Sequence, residues 1–428
     1  MTIPYTEEKI SKNSAGTLSV LFLAVFINLM GFGIVIPLLP FWVLDLGADS
    51  IVYGILVATY SFMQFLGAPI WGRLSDRIGR RPVFLVGLFG TTLGFGLLGI
   101  TALFMNSTIM LFFSQIIAGV FTAATLPTSQ AYIVDSTSDK DRVRGFGLIG
   151  AAFSLGILLG PAIGSILWLY WGYAAPAFFA SFLALINLIA AFNFLPESLS
   201  EDVRVERKKF TGKSRSTLKI VISISSNPLI FLLILIFASF SLSMASMQAT
   251  IALLGKNRGY LDQFTTGLVF LGVGIIGVFT QGVLIPPLSK KIPDSPLMAT
   301  GLFCMFISFI WIAFSFDLIM LMVAMIPLAF GSSLTSPTSG ALLSKVSPLE
   351  NSGEIFGFNQ SMASLMRVFG PILGTFLFQN FSTSFPYYFG AVLLLICFML
   401  AIGVIYLAQP IKRSNIVNTT NFESLSNH

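Results

Sequence analysis

Apolar stretches alternate with short polar ones along nearly the whole chain. A membrane-spanning helix needs roughly 20 apolar residues, and about a dozen runs approach or exceed that length. We place them near residues 18–40, 51–71, 82–104, 108–133, 145–168, 173–195, 228–254, 265–287, 297–316, 318–344, 354–379 and 386–409. The pattern therefore predicts an all-α membrane protein with twelve transmembrane helices.

Basic residues are confined almost wholly to one set of connecting segments. All of the 24 Lys and Arg residues except Lys256, Arg258 and Arg367 fall in the two terminal tails or in alternate loops. Because loops rich in Lys and Arg face the cytoplasm, we predict that both termini are cytoplasmic. The net charge of +6 then reflects membrane topology, and we expect no nucleic-acid partner.

Composition and residue chemistry exclude several other classes. A chain that is 55% hydrophobic and 10% charged is not a soluble globular domain. Cys304 and Cys397 both lie in predicted spans, so no disulfide framework is implied. The single histidine is His428, and the sequence shows no nucleophile–base pair, phosphate loop or metal-ligand cluster. We expect no enzymatic activity, no cofactor and no metal site.

The chain contains a parallel internal repeat. Thr125-Leu-Pro-Thr-Ser-Gln-Ala131 returns as Thr335-Ser-Pro-Thr-Ser-Gly-Ala341, and Gly160-Pro-Ala-Ile-Gly164 returns at the same offset as Gly370-Pro-Ile-Leu-Gly374. Parallel repeats in transporters form two halves with a substrate site between them near the bilayer midplane. We predict an N-terminal tail (1–17), a six-helix half (18–195), a linker (196–227), a second six-helix half (228–409) and a C-terminal tail (410–428).

A short charged segment, here named the polar island, separates the second and third apolar runs. Residues 72–81 read Gly-Arg-Leu-Ser-Asp-Arg-Ile-Gly-Arg-Arg. Such a cluster cannot lie in hydrocarbon, so we expect a tight loop at a membrane face, with Gly72 and Gly79 permitting the reversal. Asp76 among four arginines indicates charge-assisted hydrogen bonds between the neighbouring helix ends.

The polar island resembles the loop between the second and third helices of the major facilitator superfamily. Within that superfamily, the first half is similar to the drug-antiporter family that includes tetracycline-efflux proteins. This similarity rests on residues 29–40, 72–83, 130–147 and 195–198. The resemblance implies the major facilitator fold, a monomer in the bacterial inner membrane, and no partner beyond lipid, a small-molecule substrate and, as one alternative, protons.

The resemblance also assigns a gate and a packing motif. The implied cytoplasmic gate consists of Gly72, Asp76, Arg77, Gly79, Arg80, Arg81 and Asp135. In it, Asp135 would face Arg80, although a solvated helix-end carboxylate is the alternative. Small residues along the fifth span resemble the motif of exporters that work as antiporters, with generic small-residue packing as the alternative. These are Gly147, Gly156, Gly160, Pro161 and Gly164.

Three departures from the tetracycline exporters separate this chain from them. Asn28 and Gly94 stand where the exporters carry acids, and Gln115 stands where they carry an arginine. The tetracycline–metal site and the usual proton-binding carboxylate therefore cannot be transferred to this chain.

One charge remains deep within a predicted span. Arg367 lies near the middle of the eleventh span, on one helical face with Gln360 and Ser364. An arginine at this depth costs a few kcal/mol or more unless it faces a cavity or a partner. It could line a substrate cavity or satisfy carbonyls freed at Pro371. Asn28, Gln64, Gln115 and Gln281 are further candidates for lining, with hydrogen bonding across helices as the alternative.

These features and the resemblance together predict a secondary active transporter, an efflux antiporter for a small anionic, zwitterionic or neutral amphiphile, which works by alternating access. The coupling is left open between a peripheral acid that binds protons, exchange of solutes, and uniport. The main alternative is an importer, exchanger or uniporter of a carboxylate or siderophore-like metabolite. A non-transporting receptor or scaffold is disfavoured because the 196–227 linker is short and carries no recognisable motif.

Overall fold

The computed structural model describes residues 14–105, 107–136, 139–198, 227–347 and 352–425. These residues form fifteen α-helices, two single π-helical turns and short connections. The first half, α1 to α8, comprises Ser14–Val35, Leu39–Asp45, Ser50–Ile78, Arg80–Ile100, Thr108–Thr122, Thr125–Ser136, Asp139–Trp171 and Ala174–Phe194. The second half, α9 to α15, comprises Pro228–Asn257, Gln263–Phe279, Ile285–Lys291, Asp294–Ala313, Leu318–Val346, Ser352–Asn380 and Phe385–Leu425. The π-helical turns are Thr101–Met105 and Thr280–Leu284.

The helices have the length and composition of membrane spans. Eleven helical segments of the described residues are long and apolar enough to cross a bilayer, and the described apolar part of α7, Leu158–Trp171, adds a shorter one. Several spans consist of two consecutive helices. For example, α5 and α6 together form the fourth span. The all-helical, multi-span architecture predicted from the sequence is confirmed.

Helices pack mainly with neighbours from their own half. In the first half, α1 packs on α7 and α8, and α4 packs on α5 and α8. In the second half, α12 packs on α13 and α15, and α9 packs on α14 and α15. The halves meet through two main helix pairs, α3 with α14 and α7 with α10. The domain boundaries stay a prediction, and most of the 196–227 linker lies outside the described residues.

Close backbone contact joins α1 to α7. A Cβ atom placed on Gly160 would lie 2.7 Å from the Met30 carbonyl oxygen, and one on Gly156 would lie 2.9 Å from the Met30 nitrogen. Gly164 similarly meets the backbone of Ile34. Small residues allow this approach, which supplies van der Waals contact where lipid offers no hydrophobic driving force. The surroundings of Gly147 lie outside the described part of α7.

The polar island is helical, which corrects the expected loop. Helix α3 runs through Gly72 to Ile78, and α4 begins at Arg80, so only Gly79 breaks the helix. Gly79 has φ +112°, a conformation open to glycine and strained for other residues. Its N–H still bonds the Ser75 carbonyl at 3.2 Å. A loop is unnecessary because the helix satisfies its own backbone while long arginine side chains reach the polar phase.

Candidate functional site

Arg80 is the centre of the polar island. Although it is only 4% exposed, its guanidinium bonds Asp76 at 2.7 Å and Asp135 at 2.9 Å. It also donates to the Ser75 hydroxyl at 2.7 Å. These charge-assisted bonds hold α6 against the junction of α3 and α4. The structure thus brings Asp76, Arg80 and Asp135 together, while Arg77 is exposed.

Glu197 completes this arrangement and was not among the predicted gate residues. Its carboxylate accepts the backbone N–H of Arg80 at 2.9 Å and that of Arg81 at 3.2 Å. An acid is favourable there because the first N–H groups of a helix lack partners and carry partial positive charge. The only sequence signal was the Leu195–Ser198 stretch after the sixth span, whose contact with α4 is not apparent from spacing.

The corresponding end of the second half is built more loosely. Lys345 pairs with Asp294 between α12 and α13, with the Lys345 side chain 68% exposed. Lys290 and Lys291, where the polar island repeats weakly, are exposed at the end of α11. The two halves therefore share the position of their charges but not the buried arginine.

At the opposite end of the bundle, polar contacts cross between the halves. Asp45 of α2 pairs with Lys256 of α9 at 3.2 Å and accepts the Tyr173 hydroxyl at 2.7 Å. Gln263 of α10 donates to that same hydroxyl at 2.8 Å. Burial and the hydrogen bond to Asp45 raise the pKa of Tyr173, so it stays a neutral donor. We name Asp45, Tyr173, Lys256 and Gln263 the cross-half network.

A second contact at this end links α3 to α14. Gln379 accepts the Ile51 N–H at 3.2 Å and donates to Asp49 at 3.3 Å. Deeper along the same helices, a Cβ atom on Gly54 would lie 2.8 Å from the Pro371 carbonyl oxygen. The halves are therefore closed against one another at the end away from the polar island.

Two of the predicted amides bond across helices inside the first half. Asn28 donates to the Thr125 hydroxyl at 3.1 Å, and Gln64 donates to the Thr122 hydroxyl at 3.2 Å. These hydroxyls flank the junction of α5 and α6. At this junction the Ala124 N–H donates to the Phe121 carbonyl and not to the Val120 carbonyl four residues earlier. The carbonyl of Val120 accepts the Trp71 indole N–H at 2.6 Å instead. The fourth span, predicted as one continuous apolar run, is therefore interrupted between α5 and α6.

Packing at Gly94 and charge balance at Gln115 account for two of the three missing charges. A Cβ atom on Gly94 would lie 2.7 Å from the Ala118 Cα atom of α5, so the position where the exporters carry an acid has no room for a side chain. Gln115 lies on the same α5 and is buried. An unpaired charge there would be costly to bury, and the loss of acid and arginine together avoids that cost.

Arg367 is exposed near the middle of α14. Its guanidinium donates to the Ser364 hydroxyl at 2.8 Å, which places both side chains on one face as the spacing predicted. Gln360 lies one turn from Ser364 toward the island end and is exposed. Gln281 is exposed in the second π-helical turn. Within the described ranges, no group of three or more His, Cys, Asp or Glu side chains is placed to hold a metal ion.

Comparisons with known proteins agree with this architecture. The chain is 29% identical over 390 residues to the class C tetracycline resistance protein of Escherichia coli, covering 90% of this chain and 96% of that protein. It is 28% identical over 394 residues to multidrug resistance protein 2 of Bacillus subtilis, covering 91% and 95%. Both relatives are bacterial, in keeping with a multi-pass protein of the inner membrane.

Solved structures show the same fold. A human organic anion transporter (TETRAN) superposes with a TM-score of 0.65 at 21% identity, covering 90% of this chain and 98% of that one. A POT family transporter in complex with 5-aminolevulinic acid gives a TM-score of 0.71 at 15% identity, with 92% and 96% covered. The sequence profile of the Major Facilitator Superfamily matches residues 21–318 and 282–424. The chain is a membrane transporter that belongs to the Major Facilitator Superfamily.

Proposed function

We propose that this transporter exports a small anionic, zwitterionic or neutral amphiphilic compound from the cytoplasm by alternating access. The observation that carries the substrate class is Arg367, an exposed guanidinium midway along a membrane-spanning helix. It is the only Asp, Glu, Lys or Arg in the interior of a predicted span. Within the described ranges, Arg367 forms no ion pair, and an arginine in that setting favours a substrate that brings negative or no net charge.

The surroundings of Arg367 favour cavity lining over a structural role. The hydrogen bond described for its guanidinium goes to Ser364, not to a carbonyl at the Pro371 kink. Because an arginine exposed to hydrocarbon is costly, its exposed position indicates an aqueous space between the halves. Gln360 and Ser364 lie beside it as neutral polar partners for the substrate.

The closed cross-half network supports alternating access. Among the described residues, the hydrogen bonds of the cross-half network lie at the end away from the polar island, which positive-inside sorting assigns to the outer face. A substrate would then enter from the cytoplasm at the island end. Export also agrees with the resistance activities named for the two bacterial relatives.

In the proposed antiport, the species that moves against the substrate is either a proton or a second solute. The usual intramembrane carboxylates are absent, so a proton would have to bind a peripheral acid such as Asp45 or Asp135. Exchange of one solute for another needs no such group.

Intracellular accumulation of matched anionic, neutral and cationic compounds tests this function. Cells with and without the protein are compared, each with and without a protonophore. We expect lower accumulation of anionic or neutral amphiphiles, restored by the protonophore if protons drive export. Higher accumulation would contradict export and support the importer alternative. Export that persists with the protonophore would contradict proton coupling but would leave the export proposal intact.

A further inference from the structure

An apolar groove runs between α4 and α8 on the outer surface of the first half. It has a volume of about 480 Å³ and is lined by Leu85, Val86, Phe89, Leu188, Ile189, Phe192 and Asn193. Both helices pack on other helices of the first half, so the groove faces away from the second half and from the substrate cavity. In a membrane protein this surface contacts lipid.

The positively charged side chain of Arg81 lies at the island end of this groove. Arg81 is one turn before Leu85 in α4, and its Nη2 atom donates to the Phe192 carbonyl at 2.6 Å. Its guanidinium also lies 5.6 Å from the centre of the Phe192 ring. The Nε atom of Arg81 is buried, but the side chain as a whole is only half-buried, and the bond from Nη2 to Phe192 lies at the exposed end of the guanidinium. That end is therefore open to an acceptor supplied by the surrounding membrane.

We propose that the groove binds an anionic phospholipid of the surrounding membrane, with one acyl chain against Val86, Phe89 and Ile189 and the phosphate on Arg81. The lining matches an acyl chain, and a guanidinium at the end of a membrane span matches a phosphate in charge and in hydrogen-bond geometry. Basic pockets between membrane helices are a recognised setting for such headgroups.

The local charge favours an anionic lipid over a zwitterionic one. The polar island holds four arginines and one aspartate, and that aspartate, Asp76, is paired with Arg80. Glu197 lies near the groove mouth, but its carboxylate already accepts the backbone N–H groups of Arg80 and Arg81. Asp135 is also paired with Arg80, so four arginines stand against three acids, which leaves a small excess of positive charge for the headgroup.

Titration of the purified full chain in detergent tests the site. Phosphatidylglycerol or phosphatidylcholine is added, and bound lipids are counted by native mass spectrometry alongside the melting temperature. We expect phosphatidylglycerol to bind more tightly and to raise the melting temperature further. Arg81→Gln should weaken phosphatidylglycerol binding by roughly ten- to hundredfold, the value of a charged hydrogen bond. The matched control, exposed Arg73→Gln, changes the same charge in the same island and should retain binding.

A second pair of variants tests the groove without altering charge. Val86→Phe fills it and should weaken binding of phosphatidylglycerol several-fold, whereas Val392→Phe, on the exposed face of α15, should not. The proposal is overturned if the two lipids bind equally, or if Arg81→Gln and Val86→Phe bind phosphatidylglycerol as the controls do. These outcomes are independent of transport, so they do not depend on the proposed export activity.

Discussion

The two ends of the helix bundle use charge in different ways. At the island end, Arg80 is buried and its partners Asp76 and Asp135 belong to the same half. At the opposite end, the Asp45–Lys256 pair joins the two halves, and its side chains are 49% and 37% exposed. Buried charge therefore fixes the shape of one half, whereas exposed charge holds the halves together.

This difference matches the demands of alternating access. A contact that must break in every transport cycle needs to be weak, and exposed ion pairs contribute only about 0–1 kcal/mol. A contact that keeps a half rigid as it moves can be strong. We therefore propose that the cross-half network serves gating and that the Arg80 cluster maintains the integrity of the first half.

The largest effect is expected from a wedge at the closed end. Gly54→Val places atoms against Thr375 and the Pro371 carbonyl, so the halves cannot meet there. We expect at least a tenfold loss of transport, the equivalent of about 1.4 kcal/mol. A cysteine introduced by Leu253→Cys, at a position only 2% exposed, reports closure because an impermeant thiol reagent should label it strongly in the wedged variant.

The matched control for the wedge is Gly403→Val on α15, where a Cβ atom meets nothing within 4 Å. This variant should transport normally. Normal transport by Gly54→Val, with the Leu253→Cys reporter still protected, would show that the α3–α14 contact is unimportant for the cycle.

Arg80→Gln is expected to reduce transport nearly as much as Gly54→Val does. It removes the guanidinium that bonds the largely buried Asp135, and breaking a buried pair costs about 3–5 kcal/mol. We expect a lower melting temperature and strongly reduced transport. Arg73→Gln, in the same polar island but exposed, should stay within about twofold of the original protein, since surface charges contribute little. Equal effects of the two variants would contradict the distinction between buried and exposed arginines.

A moderate effect is expected from the cross-half network. Asp45→Asn or Lys256→Gln should raise labelling of the Leu253→Cys reporter up to about fivefold, as expected for the loss of up to about 1 kcal/mol. If the two residues act as a pair, the double variant should equal either single variant. Additive effects would instead indicate that the two side chains act independently.

The smallest effect concerns pH. The Val52 N–H and Gln379 hold the pKa of Asp49 below its ordinary value. Val52 lies in the helix that Asp49 caps, so only the bond to Gln379 of the other half makes the charged form favour the closed end. That contribution is complete above the ordinary pKa of aspartate and is lost only as the pH falls through the lowered one. Asp49→Asn should therefore change reporter labelling slightly near neutral pH, and the difference should vanish once the pH has fallen below the lowered pKa of Asp49. A difference that grows on acidification would have the wrong sign.

Sequence patterns were sufficient for the fold because hydrocarbon imposes helical spans of fixed length. The position of each span and the shared face of Arg367 and Ser364 follow from periodicity. The bond between Asp76 and an arginine follows from their spacing in the polar island, whereas the contact between Arg80 and Asp135 was reached only through resemblance because it joins residues far apart in the chain.

Other features depend on three-dimensional neighbours. Asp45 and Lys256 were visible as charges outside the basic loops, but nothing in the sequence pairs them across the two halves. At the break between α5 and α6 the Ala124 N–H bonds Phe121 and the Val120 carbonyl bonds Trp71, and the contact with Trp71 cannot be seen in the sequence. The groove beside Arg81 likewise requires the packing of α4 on α8.

Charge preference in Arg367 variants tests the central claim most directly. Transport of an anionic compound and its matched cationic analogue is measured for the original protein, Arg367→Lys and Arg367→Ala, with Gln360→Ala as a neighbouring control. We predict that Arg367→Ala loses at least about tenfold of the anion transport, consistent with one charge-assisted hydrogen bond, while Arg367→Lys retains the preference for the anion. Unchanged transport and charge preference in Arg367→Ala would contradict a substrate site built around this arginine.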